Sequence, residues 1–197
     1  MDFIILIPVF VTGVLTKLAD LIADDNLEIR KAFSYLIGIV YGVAIAYIIS
    51  THPLLAPIGL AAVLAVLLTK KIDRKPHNIG IASMFLFLGI WGFPKIDIVM
   101  ISIFLASGLI DEIGNDRVDE GRMRGIPRRI FEYRLVFEIT AFLVSLLTGE
   151  WVIFLGMLSF DAGYLLTKRT GQRFADAFGK FDSVIGRIGR AAASFIY

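Results

Sequence analysis

The chain has 197 residues, of which 57% are hydrophobic and 19% are Asp, Glu, Lys or Arg, with a mean hydropathy of +0.76. A soluble domain holds about 45–50% apolar and about 25% charged residues, and one this apolar would expose aggregating patches, so a soluble globular protein is excluded. There is no cysteine and the net charge is only +2, which removes disulfide and thiolate chemistry and gives no basic footprint for nucleic acid.

A spanning helix needs about 20 mostly apolar residues. Seven apolar runs approach that length: Phe3–Leu18, Ala32–Ser50, Leu54–Thr69, Asn78–Phe93, Ile96–Ile110, Phe131–Leu147 and Trp151–Thr167. The first has Asp2 where a signal peptide would carry basic residues, so it reads as a retained helix. The second and third join through Thr51–Pro53, the fourth and fifth through Pro94–Lys95, the sixth and seventh through Thr148–Glu150. Such short links predict hairpins, with a half-membrane re-entrant pair as the alternative for the fourth and fifth runs. The other links, Ala19–Lys31, Lys70–His77 and Asp111–Ile130, are longer and charged. Of the 20 Lys and Arg, only Lys95 lies outside these links, their flanks and the C-terminal stretch.

Lys and Arg collect on the cytoplasmic face. The prediction is therefore an all-α polytopic integral membrane protein of the cell membrane. It is a seven-transmembrane helix bundle with its N-terminus outside and its C-terminus cytoplasmic. Residues 1–169 form the transmembrane domain and residues 170–197 a C-terminal amphipathic helix. In that tail Phe174, Phe178, Phe181, Ile185, Ile188 and Phe195 alternate with Arg173, Lys180, Arg187 and Arg190, as in a helix lying on an anionic leaflet. The tail could instead cap the bundle or join a second subunit in a homo-oligomer. Leu-Thr-Lys recurs at 15–17, 68–70 and 166–168; Lys favours helix C-termini, and that ordinary reading leads over an ancestral duplication.

The acidic residues gather beside the predicted cytoplasmic face. Asp20 and Asp24 are four apart, on one side of a helix. Their repulsion would be relieved by a divalent cation. The plainer alternative is a solvated loop in which Asp24 or Asp25 caps the next helix. Asp111, Asn115 and Asp119 line one face of a continuing helix, with Asp116 beside them. Arg117, Arg122 and Arg124 follow as phosphate donors, although a charged helix held by ion pairs would have the same composition. Lys70, Lys71, Arg74 and Lys75 form a basic patch next to His77; it serves topology in the plainer reading and an anionic head group in the other. Glu138 and Asp161 fall inside apolar runs, where charge is expensive. Arg134, four residues before Glu138, is placed to pair with it.

Asn115-Asp116 with Asp119 resembles part of the first Asp-rich motif of the intramembrane prenyltransferases, and Asp20 with Asp24 resembles a DxxxD. The resemblance covers only these stretches, and that family typically has nine spans. The CDP-alcohol phosphotransferases also cluster Asp residues at helix ends, but the D-x-x-D-G-x-x-A-R start of their motif is absent.

The leading expectation is a Mg²⁺-dependent membrane transferase acting on a lipid-linked or isoprenyl phosphate. Asp20, Asp24, Asp111, Asn115, Asp116 and Asp119 would hold the metal. Asp111, Asp116, Glu138 and Asp161 would be catalytic. Arg117, Arg122, Arg124, Lys70, Lys71, Arg74 and Lys75 would hold the phosphate. The alternative is a cation channel or transporter with Glu138 and Asp161 lining the path. Membrane lipids are the predicted partners in either case.

Overall fold

The structure is a computed structural model that describes residues 3–24, 31–71 and 75–193, with no side-chain description at 24, 31, 32, 172 and 174–193. The candidates Asp25 and Arg74, and the side chains of Asp24 and of the tail beyond 173, therefore lie outside the described residues. A short 3₁₀ turn, Phe3–Ile5, leads into eight helices. They are α1 (Leu6–Asp24), α2 (Lys31–Thr51), α3 (Ala56–Leu68), α4 (Lys75–Trp91), α5 (Ile98–Asp119), α6 (Gly125–Glu132), α7 (Leu135–Thr148) and α8 (Val152–Ala193).

The chain is a multi-pass helical membrane protein, but the seven-span prediction is corrected. Among the described residues three helices are long and apolar enough to cross a membrane: Phe3–Ala23, Phe33–Thr51 and Ile98–Asp119. The 13 residues of α3 and the 14 of α7 rise only about 20 Å, against a hydrocarbon core of about 30 Å. The apolar runs overstate these helices because their ends are turn. Residues 53–55 and 92–97 are not helical, and Pro57 sits in the first turn of α3, where a proline starts a helix rather than kinking one. The last apolar run is also no separate element, since α8 continues through it to Ala193 without a break.

The principal packing is between helices that run the same way, α1 with α8, α2 with α4 and α3 with α5, more than between chain neighbours. Glycine explains the choice. A Cβ on Gly38 or Gly42 of α2 would strike the Pro76 or Gly80 carbonyl of α4. Gly13 of α1 lies on the Phe160 carbonyl of α8, and Gly163 of α8 on that of Phe10. These small faces let backbones touch, the usual device where lipid offers no hydrophobic drive between helices. Gly156 and Gly59 instead make room for side chains, those of Leu55 and Ile49. Ile98, Leu147 and Ile4 are among many large apolar side chains left exposed, as a lipid-facing surface requires.

In the recurring Leu-Thr-Lys, the hydroxyls of Thr16, Thr69 and Thr167 donate to the carbonyls of Thr12, Ala65 and Gly163. Thr140 and Thr148 do the same outside the motif, so the hydroxyl bonds are ordinary helix chemistry; the expected link of Lys to a helix C-terminus holds at Lys70 but not at Lys17 or Lys168, since α1 runs on to Asp24 and α8 to Ala193.

Candidate functional site

At the end of the bundle where α1, α3 and α5 finish and α2, α4 and α7 begin, the polar residues fall into separate networks. We call this the charged end.

The first network joins α3, α5 and α7. Lys70 closes α3 in the left-handed region at φ 57°, and the Lys71 amide donates back to the Val66 carbonyl. Glycine is the usual residue for such a cap. The turn aims Lys71 into the bundle. Its Nζ lies 3.0 Å from Glu112 Oε2 and 2.9 Å from Asp116 Oδ1, and donates to the Glu112 carbonyl and Asn115 Oδ1 at 2.9 and 3.1 Å. The Glu112 side chain is only 8% exposed and also accepts from Arg134 at 3.3 Å. The predicted Mg²⁺ site is thereby corrected. The oxygens meant for the metal hold an ammonium, and no group of three or more His, Cys, Asp or Glu is placed for a metal among the described residues. Asp119 points to solvent at the last residue of α5.

Asp111, 2% exposed, faces the other way. Its Oδ1 accepts from the Val136 amide at 3.2 Å and its Oδ2 from the Phe137 amide at 2.7 Å. Those amides open α7, whose own N-cap residue, Arg134, has φ 54° and no capping side chain. A carboxylate from α5 thus caps α7 across space, satisfying orphan donors and meeting the positive end of the helix dipole.

The second network joins α1, α2, α4 and α8. Asp20 Oδ1 lies 2.6 Å from His77 Nε2, and His77 Nδ1 lies 2.8 Å from the Tyr41 hydroxyl. Asp20 Oδ2 accepts from Tyr164 at 3.1 Å and from Lys17 at 3.5 Å. The Lys17 ammonium also sits 5.2 Å from the centre of the Tyr164 ring. Asp20 is thus engaged on both oxygens by protein groups and leaves the predicted metal set. Charge spacing assigns Asp20 and His77 separate roles and passes over Tyr41 and Tyr164. The one available signal was a phenol inside each of two apolar runs, since a buried hydroxyl needs a partner.

The third site lies between α7 and α8. The carboxyl groups of Glu138 and Asp161 lie close enough to interact, and Asp161 Oδ2 is buried without a hydrogen-bond partner. Arg134 pairs with Glu112 rather than with Glu138, which corrects the sequence expectation. Its left-handed backbone places it before α7 begins, so helical spacing does not apply to it.

Of the proposed phosphate holders, Arg117, Arg124, Lys70 and Lys75 are exposed, Arg122 pairs with Glu120 at 3.1 Å on the surface, and Lys71 is engaged by α5. A cleft of about 270 Å³ beside α8 is lined by Ala162, Leu165, Leu166 and Arg169, none of which is among the predicted site residues. Compared with protein-family models, curated proteins and solved structures, the chain gives no match.

Proposed function

We propose that this protein carries a small cation across the membrane, as a channel or transporter, with Glu138 and Asp161 on its path. The observation that supports this reading is the carboxyl pair itself. Acids at membrane depth are costly and mark ion pathways. These two meet each other, without an ion pair to a basic residue among the described residues, and one oxygen remains unsatisfied in a buried position. A buried polar atom without a partner asks for an explanation, and an exchangeable cation is one. Two carboxyl groups side by side repel when both are ionised, so such a pair favours holding a proton or another cation between them.

The competing lipid-phosphate transferase has less to rest on. Its arginines are exposed on the surface, and Lys71 occupies oxygens that a metal would have taken. The test is flux of H⁺, Na⁺ and K⁺ into proteoliposomes. Wild type should exceed protein-free vesicles for at least one cation, and Glu138→Gln and Asp161→Asn should each abolish the excess. Full rates in both variants, or no flux in wild type, would refute the proposal.

A further inference from the structure

We infer that the Asp20–His77–Tyr41 chain is a second ion site, a proton-binding station at the charged end. It adds to the transport reading by naming the ion as the proton, and as a binding site it stands independently of that reading.

The argument begins with connectivity. His77 is the third residue of α4 and is engaged at both ring nitrogens. A carboxylate can only accept, so Nε2 carries hydrogen toward ionised Asp20, and Nδ1 is left to accept from the Tyr41 hydroxyl. Asp20 Oδ2 is already held by Tyr164 and Lys17, which fixes Oδ1 on the imidazole. The groups facing His77 are thus Tyr41 from α2, Asp20 from α1 and, through Asp20, Lys17 of α1 and Tyr164 of α8. Residues 72–74 and the Asp24 side chain lie outside the described residues.

The network is built differently at its two ends. Tyr41 is 4% exposed, whereas the side chains of Asp20 and His77 are 21% and 20% exposed. Protons can reach the imidazole from one side while the phenol stays dry. Gly80 stands beside the Tyr41 hydroxyl, where any Cβ would collide with it. Even alanine at 80 would push the hydroxyl away from the imidazole.

Uptake balances simply. A hydronium O–H bond breaks and an N–H bond forms at His77 Nδ1. The Tyr41 hydroxyl keeps its own hydrogen and turns from donor to acceptor. Carboxylate, imidazole and phenol together go from one negative charge to neutral. Because the three groups sit on α1, α4 and α2, the change is felt where those helices meet.

The chain has only two histidines, so ¹⁵N-histidine NMR in nanodiscs gives two ring systems, with His52 as the internal reference. Histidine charge changes normally fall between about pH 5 and 8. In wild type, His77 should titrate and its neutral form should be a single tautomer with hydrogen on Nε2. Asp20→Asn, which replaces an acceptor-only group by one that can also donate, should lose that single tautomer, Tyr41→Phe should move the titration, and neither should touch His52. An indifferent His77 in both variants, or one that never titrates, overturns the inference. Proton flux separates the two proposals. The NMR result with no flux in wild type sinks transport and leaves the station, while flux with an indifferent His77 does the reverse.

Discussion

Lys71→Met removes the ammonium and keeps most of the apolar stem. Its pair with Asp116, which is 51% exposed, contributes no more than about 1 kcal/mol. Glu112 decides the outcome, because its side chain is 8% exposed and breaking one partner of a buried pair costs about 3–5 kcal/mol. Arg134 stays at 3.3 Å and offsets part of this. A loss of about 3 kcal/mol follows, or roughly 6–12 °C in Tm for a chain of this size. Trp91 and Trp151 supply the fluorescence signal for melting in detergent. Lys71→Met/Glu112→Gln should recover about 2 kcal/mol, since the stranded charge goes with its partner. Millimolar Mg²⁺ should leave the wild-type Tm unchanged and raise that of Lys71→Met, whose emptied oxygens then resemble a cation site. A single variant as stable as wild type, or a wild type stabilised by Mg²⁺, would refute the claim that the lysine stands where the metal was predicted.

Two further outcomes concern the frame. Asp111→Ala should cost about 2–6 kcal/mol, because the amides of Val136 and Phe137 lose their acceptor at about 1–3 kcal/mol each, and hydrogen exchange at those amides should accelerate; Asp111→Asn should cost less. Gly42→Val should cost about 3 kcal/mol by thrusting a side chain into the Gly80 backbone, whereas Gly89→Ala, with open space around it, should be neutral or stabilising by up to about 1 kcal/mol; thermal melts of the pair check both.

Membrane character was legible because composition and hydropathy follow directly from the solvent. The span count was not, because an apolar run records burial and not where a helix stops. The residues around Pro53 and Pro94 are apolar, yet they are turn. At the candidate site, charge spacing picked out residues that engage other polar groups and misassigned their partners. Asp111 is spaced like a ligand, but the amides it serves lie 25 and 26 residues away, a distance at which helical periodicity carries no information. Lys71 looked like one of several surface bases until the left-handed Lys70 turned it inward. Glu138 and Asp161 were legible as a pair, since each stands in an apolar run and depth alone brings them level.

The pairing of α1 with α8 has a consequence for biosynthesis. The glycine-lined flank of α1 meets its mate only after α8 has left the ribosome, so α1 enters the membrane well before it finds its seat. Until then Asp20 lacks Tyr164 and must wait in lipid or at its edge, partly unsupported. A ribosome stalled before α8 would leave that flank bare, a form that quality-control proteases are well suited to recognise.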